Sequence, residues 1–364
     1  MLSNRRALIK SAITVGASAS FLRSLPLLAQ SSDEVMLEMV HPELRTLASQ
    51  LLKMNFPAIT QKTLNKSREA LLPMRSPRLA DVSVSGQRIP GGKGQPDVEI
   101  FIINALAGEA RPAILHCHGG GFVMGSAQDS IRDLQEMSKS LGCVVVSVEY
   151  RLAPETRYSG SLEDNYAALK WLHNNAESLG VDPERIAVMG ESAGGGHAAL
   201  LAIVARDRGE IPIAFQCLIY PMLDDRTGSS HAAPPHVGKL LWNAESNRFG
   251  WSSFLGVLAG SDKVPVQAVP ARVEDLQGLP PAYIAVGSLD LLADENMEYA
   301  RRLNSAAVST QLLVVAGAFH GFDALQKFGV QTCVGKEFNQ TKLDALRQGL
   351  NIKNPTCKSP IKRT

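Results

Sequence analysis

The stretch Met189-Gly190-Glu191-Ser192-Ala193-Gly194-Gly195-Gly196 sets one serine among glycines and an alanine, directly behind a short apolar run. A strand over residues 185–189 followed by an Ala-rich helix puts that serine on a strand-to-helix turn. A turn tight enough to lift one side chain clear of a sheet crowds the backbone on both sides, and glycine at 190 and 194 removes the Cβ atoms that would collide. The hydroxyl then lies at a helix N-terminus, where free N–H groups and the macrodipole favour developing negative charge. A second run, His116-Cys117-His118-Gly119-Gly120-Gly121-Phe122, closes another apolar stretch, residues 113–117. Three consecutive glycines let the backbone turn its N–H groups into open space. Such donors serve the oxyanion of a tetrahedral intermediate in acyl transfer, and losing one typically costs about 3 kcal/mol of transition-state stabilisation.

The elements that must hold these two loops alternate along the chain. Runs rich in branched aliphatics occur at 98–103, 113–117, 143–150, 185–189, 214–220, 282–286 and 311–315, and read as strands. Between them, residues 130–141, 162–179, 195–208 and 296–307 carry helical spacing. Mostly apolar strands separated by helices imply a mostly parallel sheet covered on both faces, an α/β fold in one sheet domain. Residues 31–78 and 222–272 break the alternation, the second with Pro234-Pro235, Trp242, Phe249, Trp251 and Phe254, and read as insertions packed over one end of the sheet.

With the three-glycine loop and the serine turn each behind its own strand, the sequence resembles the bacterial esterase branch of the hormone-sensitive-lipase-like α/β-hydrolases. Glu149-Tyr150-Arg151-Leu152-Ala153-Pro154-Glu155 and His320-Gly321-Phe322 match further blocks of that family, and the likeness runs over roughly residues 75–350. It implies an eight-stranded sheet with a helical cap: an N-terminal cap segment at 31–78 and a hydrolase domain at 79–352, with a cap insertion at 222–272. It also implies a catalytic triad of nucleophile, base and acid in the chain order Ser, Asp, His.

Eight histidines compete for the base. His116 and His118 belong to the glycine loop, where the family gives the motif histidine a structural role. His197 follows the serine on the same helix, so its side chain points away along that helix. His173 reads as a polar helix face, His41 precedes the sheet domain, and His231 and His236 lie in the variable insertion. His320 remains, in the loop behind the last strand. The acid belongs behind the strand 282–286, where Asp290 stands; its rival Asp294 reads as the N-cap of the following helix. The resemblance also selects Asp290, although the usual D-P-L-R-D-E reads Asp290-Leu291-Leu292-Ala293-Asp294-Glu295, and the family's proline-rich step after Glu155 is absent. Residue by residue, the family places the oxyanion hole on the backbone N–H groups of Gly120, Gly121 and Ala193.

The implied activity is hydrolysis of short to medium acyl esters through a Ser192 acyl-enzyme, with no metal or organic cofactor and a small-molecule ester as the partner. The cap segments are expected to line an apolar acyl pocket. A lactonase or amidase on the same triad is the alternative within enzymes, and a small-molecule-binding homologue without catalysis is the alternative outside them. A net charge of +2 on 364 residues, with no basic stripe, gives no footprint for nucleic acid. Monomer and homodimer both stay open.

Residues 1–30 differ from the rest. Arg5-Arg6, Lys10, a weakly apolar stretch over 11–22 and Leu28-Ala29-Gln30 read as an export signal of twin-arginine type, which implies a periplasmic or secreted protein; the alternative is a cytoplasmic protein with a plain N-terminal arm. Roughly 12 apolar residues are too few to span a bilayer, which needs about 20, so no stable membrane insertion is expected. Cys117, Cys143 and Cys217 fall inside apolar runs and read as small buried hydrophobes. Cys333 and Cys357 flank the last helical stretch, and in an oxidising compartment the pair could join; residues 353–364 form a basic tail.

Overall fold

The computed structural model describes residues 32–71, 75–324 and 330–353. The expected signal at 1–30, the tail beyond Lys353 and Cys357 lie outside these residues. Among the described residues one sheet contains β1 (Val84–Ile89), β2 (Val98–Ile103), β3 (Arg111–Cys117), β4 (Val144–Glu149), β5 (Val181–Glu191), β6 (Phe215–Ile219), β7 (Ala282–Gly287) and β8 (Thr310–Val315). Their order is β1-β2-β4-β3-β5-β6-β7-β8, and pairing is parallel except where β2 meets β1 and β4. The sheet carries the eight strands that the family resemblance implies. Seven match the aliphatic runs. The eighth, β1, reads Val-Ser-Gly-Gln-Arg-Ile and is mostly exposed at the sheet edge, so it has no apolar run to betray it.

The helices are α1 (Ser32–Met39), α2 (Arg45–Met54), α3 (Leu64–Leu71), α4 (Ile131–Leu141), α5 (Tyr158–Asn174), α6 (Ala176–Leu179), α7 (Ala193–Arg208), α8 (Ala244–Leu255), α9 (Ala293–Ser305) and α10 (Cys333–Gly349). Alternation along each strand sorts side chains to two faces. Ala113, Leu115 and Cys117 of β3 and Val144, Val146 and Val148 of β4 pack with α5, α7 and α9. Ile114 and Val145 point the other way, into a cluster with α1, α2, α4 and α10. Burial on both faces explains why the central strands read as unbroken apolar runs. Cys117, Cys143 and Cys217 are fully buried in these layers, and burial pushes the thiols of Cys143 and Cys217 up to about 12.

The two irregular regions do different work. Met36, Val40, Leu44 and Ala48 of the N-terminal segment join the sheet-face cluster beside Phe319 and Phe338. The segment's start also touches the insertion, through Leu240 in that cluster and the Asp33–Lys239 ion pair at 3.4 Å, and farther on Ile59 and Leu64 join Trp242, Trp251, Phe254 and Leu255 around Phe122. The Ile59 amide donates to Ser246 Oγ at 2.9 Å, stitching the two pieces together. The insertion is in turn anchored to α9, where buried Glu295 accepts from the Leu223 amide at 2.6 Å and Asn296 Nδ2 donates to the Pro221 carbonyl at 2.8 Å.

Two helix expectations need correction. Residues 162–179 were one helix by spacing, but α5 begins at Tyr158 and ends at Asn174, with α6 a separate turn after Asn175. The helix expected at 296–307 begins at Ala293 with Leu292 at its N-cap, so Asp294 is not the cap residue. The cause is Asp290, whose Oδ1 accepts from the Leu292 amide at 3.0 Å and turns the chain into the helix early.

Candidate active site

Ser192 stands between β5 and α7 with φ 57° and ψ −120°, a conformation that a side-chain-bearing residue adopts only under constraint. The constraint is visible. Its amide donates to Ile219 O at 2.9 Å, and its carbonyl accepts from the Gly196 and Met222 amides, each at 3.0 Å. A Cβ at Gly194 would lie 2.0 Å from Cys117 O and one at Gly190 would lie 2.3 Å from Gly194 O, so the crowding argued from the sequence is real.

The loop behind β3 lies against this turn. A Cβ built on Gly119 would sit 3.7 Å from Ser192 Cβ. Gly120, Gly121 and Phe122 all have positive φ, at 126°, 61° and 67°. The Gly120 and Gly121 amides make no backbone hydrogen bond among the described residues. Ala193 opens α7, where first-turn N–H groups have no intrahelical acceptor. All three amides are thus left without a backbone acceptor, in the glycine loop and in the first turn of α7.

His320, in the loop after β8, brings Nε2 to 3.0 Å from Ser192 Oγ and Nδ1 to 2.8 Å from Asp290 Oδ2. Asp290, after β7, is 1% exposed and spends its other oxygen on the Leu292 amide. With the Nδ1 proton held by the carboxylate, Nε2 is left as an acceptor facing the serine hydroxyl. The arrangement can deprotonate Ser192 as it attacks a carbonyl and return the proton to a leaving group. Residues from three separate strand ends, assigned from the sequence alone, meet here within hydrogen-bond distance.

The other histidines are placed elsewhere. His116 is the penultimate residue of β3 rather than part of the loop, and its ring links Ser147 Oγ to Glu191 Oε2, each at 2.9 Å. His118 stacks on Tyr150 with ring centroids 4.1 Å apart, its Nδ1 2.8 Å from Gly119 O, while Tyr150 Oη donates to His118 O at 2.6 Å. His197 is fully buried among Phe122, Tyr150 and Phe254. Burial pushes His118 down to about 4 and His197 down to about 3, so both are neutral members of the scaffold. His41 accepts from the Glu43 amide at the start of a short helical turn, far along the chain from the serine.

Sequence reasoning gave no site role to four contributors. Tyr220, with φ 35°, places its ring 4.8 Å from the His320 ring and donates from Oη to buried Asp323 Oδ1 at 2.9 Å. Trp242 lies 6.2 Å from the same imidazole and packs on Gly121. Glu191 ties the serine turn to β3 through His116. Tyr220 had a usable signal, since it follows β6 directly at a strand end that faces the site; Trp242 was legible only as one of the insertion's aromatics, and Asp323 had no signal. Among the described residues, no group of three or more His, Cys, Asp or Glu is placed to hold a metal ion.

The family model described as the alpha/beta hydrolase fold matches residues 114–324. Esterase LipI of Mycobacterium tuberculosis is 34% identical over 267 residues, covering 73% of this chain and 80% of its own. The chain belongs to the hormone-sensitive-lipase-like family of α/β-hydrolases. An ethyl acetate hydrolase of Pseudomonas putida is 33% identical over 219 residues, covering 60% of this chain and 67% of that protein. Among solved structures, a bacterial heroin esterase superposes with a TM-score of 0.76 at 36% identity, covering 86% of this chain and 99% of that one.

Proposed function

We propose that the protein is a serine carboxylic-ester hydrolase acting on short to medium acyl esters, with Ser192 as nucleophile, His320 as general base and then acid, and Asp290 orienting the imidazole. The observation that carries this reading is the continuous chain Ser192 Oγ, His320 Nε2, His320 Nδ1, Asp290 Oδ2 at 3.0 and 2.8 Å, beside unclaimed loop amides. Ser192 attacks the ester carbonyl while His320 takes its proton. The Gly120, Gly121 and Ala193 amides receive the oxyanion; His320 then protonates the departing alcohol. Water, activated by the same imidazole, releases the acid from the acyl-enzyme.

Relatives with ester-hydrolase names support the activity, and two of those names, for ethyl acetate and heroin, refer to small esters. The test is a panel of p-nitrophenyl esters of rising chain length beside lactones and anilides, run on wild type and Ser192→Ala. Turnover of the short esters by wild type and its loss in a folded Ser192→Ala protein is the expected result. Faster turnover of lactones or anilides than of any ester would replace the substrate class.

The destination belongs to the same proposal. Paired Arg5-Arg6 before a weakly apolar stretch suits a route that carries folded passengers, and among the described residues no helix is long and apolar enough to cross a membrane. We therefore assign export by the twin-arginine pathway and removal of about thirty residues. Changing Arg5 and Arg6 to Lys should leave full-length precursor in the cytoplasm. An intact Met1-Leu2-Ser3 terminus on cytosolic protein from the native host would refute the assignment.

A further inference from the structure

Arg68, on α3 of the N-terminal segment, reaches the loop that carries the glycine amides. Its Nε donates to Val123 O at 2.7 Å and its Nη2 to Ala153 O at 3.0 Å. The same guanidinium holds Glu155 with both carboxylate oxygens, at 2.7 and 2.8 Å. The two carbonyls belong to segments already joined to each other, since the Ala153 amide donates to Phe122 O at 2.9 Å. Val123 also closes the glycine turn, because the Val123 and Met124 amides donate to Gly120 O at 3.1 and 3.0 Å. One planar side chain thus fastens the far end of the turn whose near end presents Gly120 and Gly121.

The turn needs such fastening. Three successive residues with positive φ, one of them Phe122, do not hold that shape by local preference. Guanidinium geometry suits the task, with several donors in a fixed plane that reach four acceptor oxygens at once, which an ammonium on a flexible stem cannot copy. The Glu155 carboxylate is 60% exposed, so the ion pair itself contributes little. The bonds to the two carbonyls matter more.

We propose that Arg68 is a positioning residue for ester hydrolysis, holding the turn that aims the Gly120 and Gly121 amides at the oxyanion. The proposal rests on the reading of those amides as oxyanion donors. It places part of the catalytic geometry under the control of the N-terminal segment, a part of the chain outside the matched family model.

The experiment compares wild type, Arg68→Met, Arg68→Lys and Glu155→Gln in the full chain. Each is measured for kcat and KM on a short p-nitrophenyl ester, for inhibition by an alkyl trifluoromethyl ketone, and for melting temperature. The ketone forms a tetrahedral adduct on the serine, so its affinity reports the oxyanion donors and not merely substrate fit. Losing one donor outright costs about 10²–10³ in kcat, so loosening two of them by release of their turn is expected to cost about 10–100-fold. Arg68→Met should show that loss in kcat with KM within about twofold, and a matching loss in ketone affinity. Arg68→Lys should recover part of both, and Glu155→Gln should stay within about threefold of wild type.

A folded Arg68→Met protein with wild-type kcat and ketone affinity overturns the proposal. So does a loss of activity that only tracks the fraction of protein unfolded. Wild-type protein inert to both ester and ketone would instead overturn the esterase reading beneath it.

Discussion

Replacing Ser192 by glycine should make the protein more stable than replacing it by alanine, although both variants lose the hydroxyl proposed as nucleophile. At φ 57° and ψ −120° the residue occupies a region that is comfortable only without a Cβ. Holding a side-chain-bearing residue there costs about 1–3 kcal/mol, and alanine keeps that cost while glycine removes it. Against this, glycine frees the unfolded chain by about 0.4–1 kcal/mol. At the middle of the two ranges the balance favours Ser192→Gly by roughly 1.3 kcal/mol. Both variants lack the 3.0 Å bond to His320, so that term cancels. Each kcal/mol moves Tm by about 2 °C in a chain of this length, which predicts a separation of about 3 °C. Calorimetry of the two variants side by side, checked by urea midpoints, reads it directly. If Ser192→Gly melts at or below Ser192→Ala, the turn is not strained and the argument for a backbone held against its preference fails.

The remaining expectations concern the acid and the buried rings. Asp290→Asn should lower kcat by about 10⁴: keeping an oxygen on the Leu292 amide turns the new amide N–H toward His320 Nδ1, which fixes the tautomer that cannot accept the serine proton. Asp294→Asn, in the first turn of α9, should leave kcat unchanged and cost only about 0.3–1 kcal/mol of helix-dipole interaction, measured by denaturation. His118 and His197 have folded pKa values lowered to about 4 and about 3, below the unfolded value near 6.5. The unfolded chain therefore binds protons first as pH falls, and stability present above pH 6.5 is lost progressively toward pH 4, by up to about 1.4 kcal/mol per pH unit for each ring. His197→Gln should flatten that slope in urea midpoints taken between pH 7.5 and 4.5; parallel slopes in wild type and variant would mean the ring does not titrate on unfolding.

What was legible in the sequence follows from where each residue lies. The central strands are buried on both faces and so write themselves as apolar runs, while edge strand β1 has no such pattern and escaped notice. Ser192, Asp290 and His320 could be named because each stands just beyond a legible strand, and parallel strands bring those ends together at one edge of the sheet. Asp294 was misplaced as a cap because residue preference favours aspartate there, whereas a side-chain bond from Asp290 starts the helix sooner. Tyr220 stands at a strand end and went unread, whereas Asp323 and Arg68 come from positions whose importance depends on three-dimensional approach alone. Nothing in the spacing of Arg68 relates it to Val123 or Ala153.

The cap segments were expected to line an acyl pocket, and three of the insertion's large aromatics have a further task that their burial shows. Trp251, Phe254 and Trp242 are 0%, 1% and 4% exposed, and they pack around the glycine loop rather than facing open space. Phe122 stacks on Phe254 at 4.1 Å and lies 4.9 Å from Trp251. A Cβ at Gly250 of α8 would meet Gly121 O at 2.5 Å, and Trp242 covers Gly121 from a second side. With Arg68 on a third side, the five residues Gly119 to Val123 are clasped by both pieces of the cap. Close-packed interiors pass on the loss of even a methylene to their neighbours, so on the proposed mechanism a change in this roof made to widen the substrate range also shifts the Gly120 and Gly121 amides assigned to the oxyanion. Selectivity and turnover are thereby coupled through one loop.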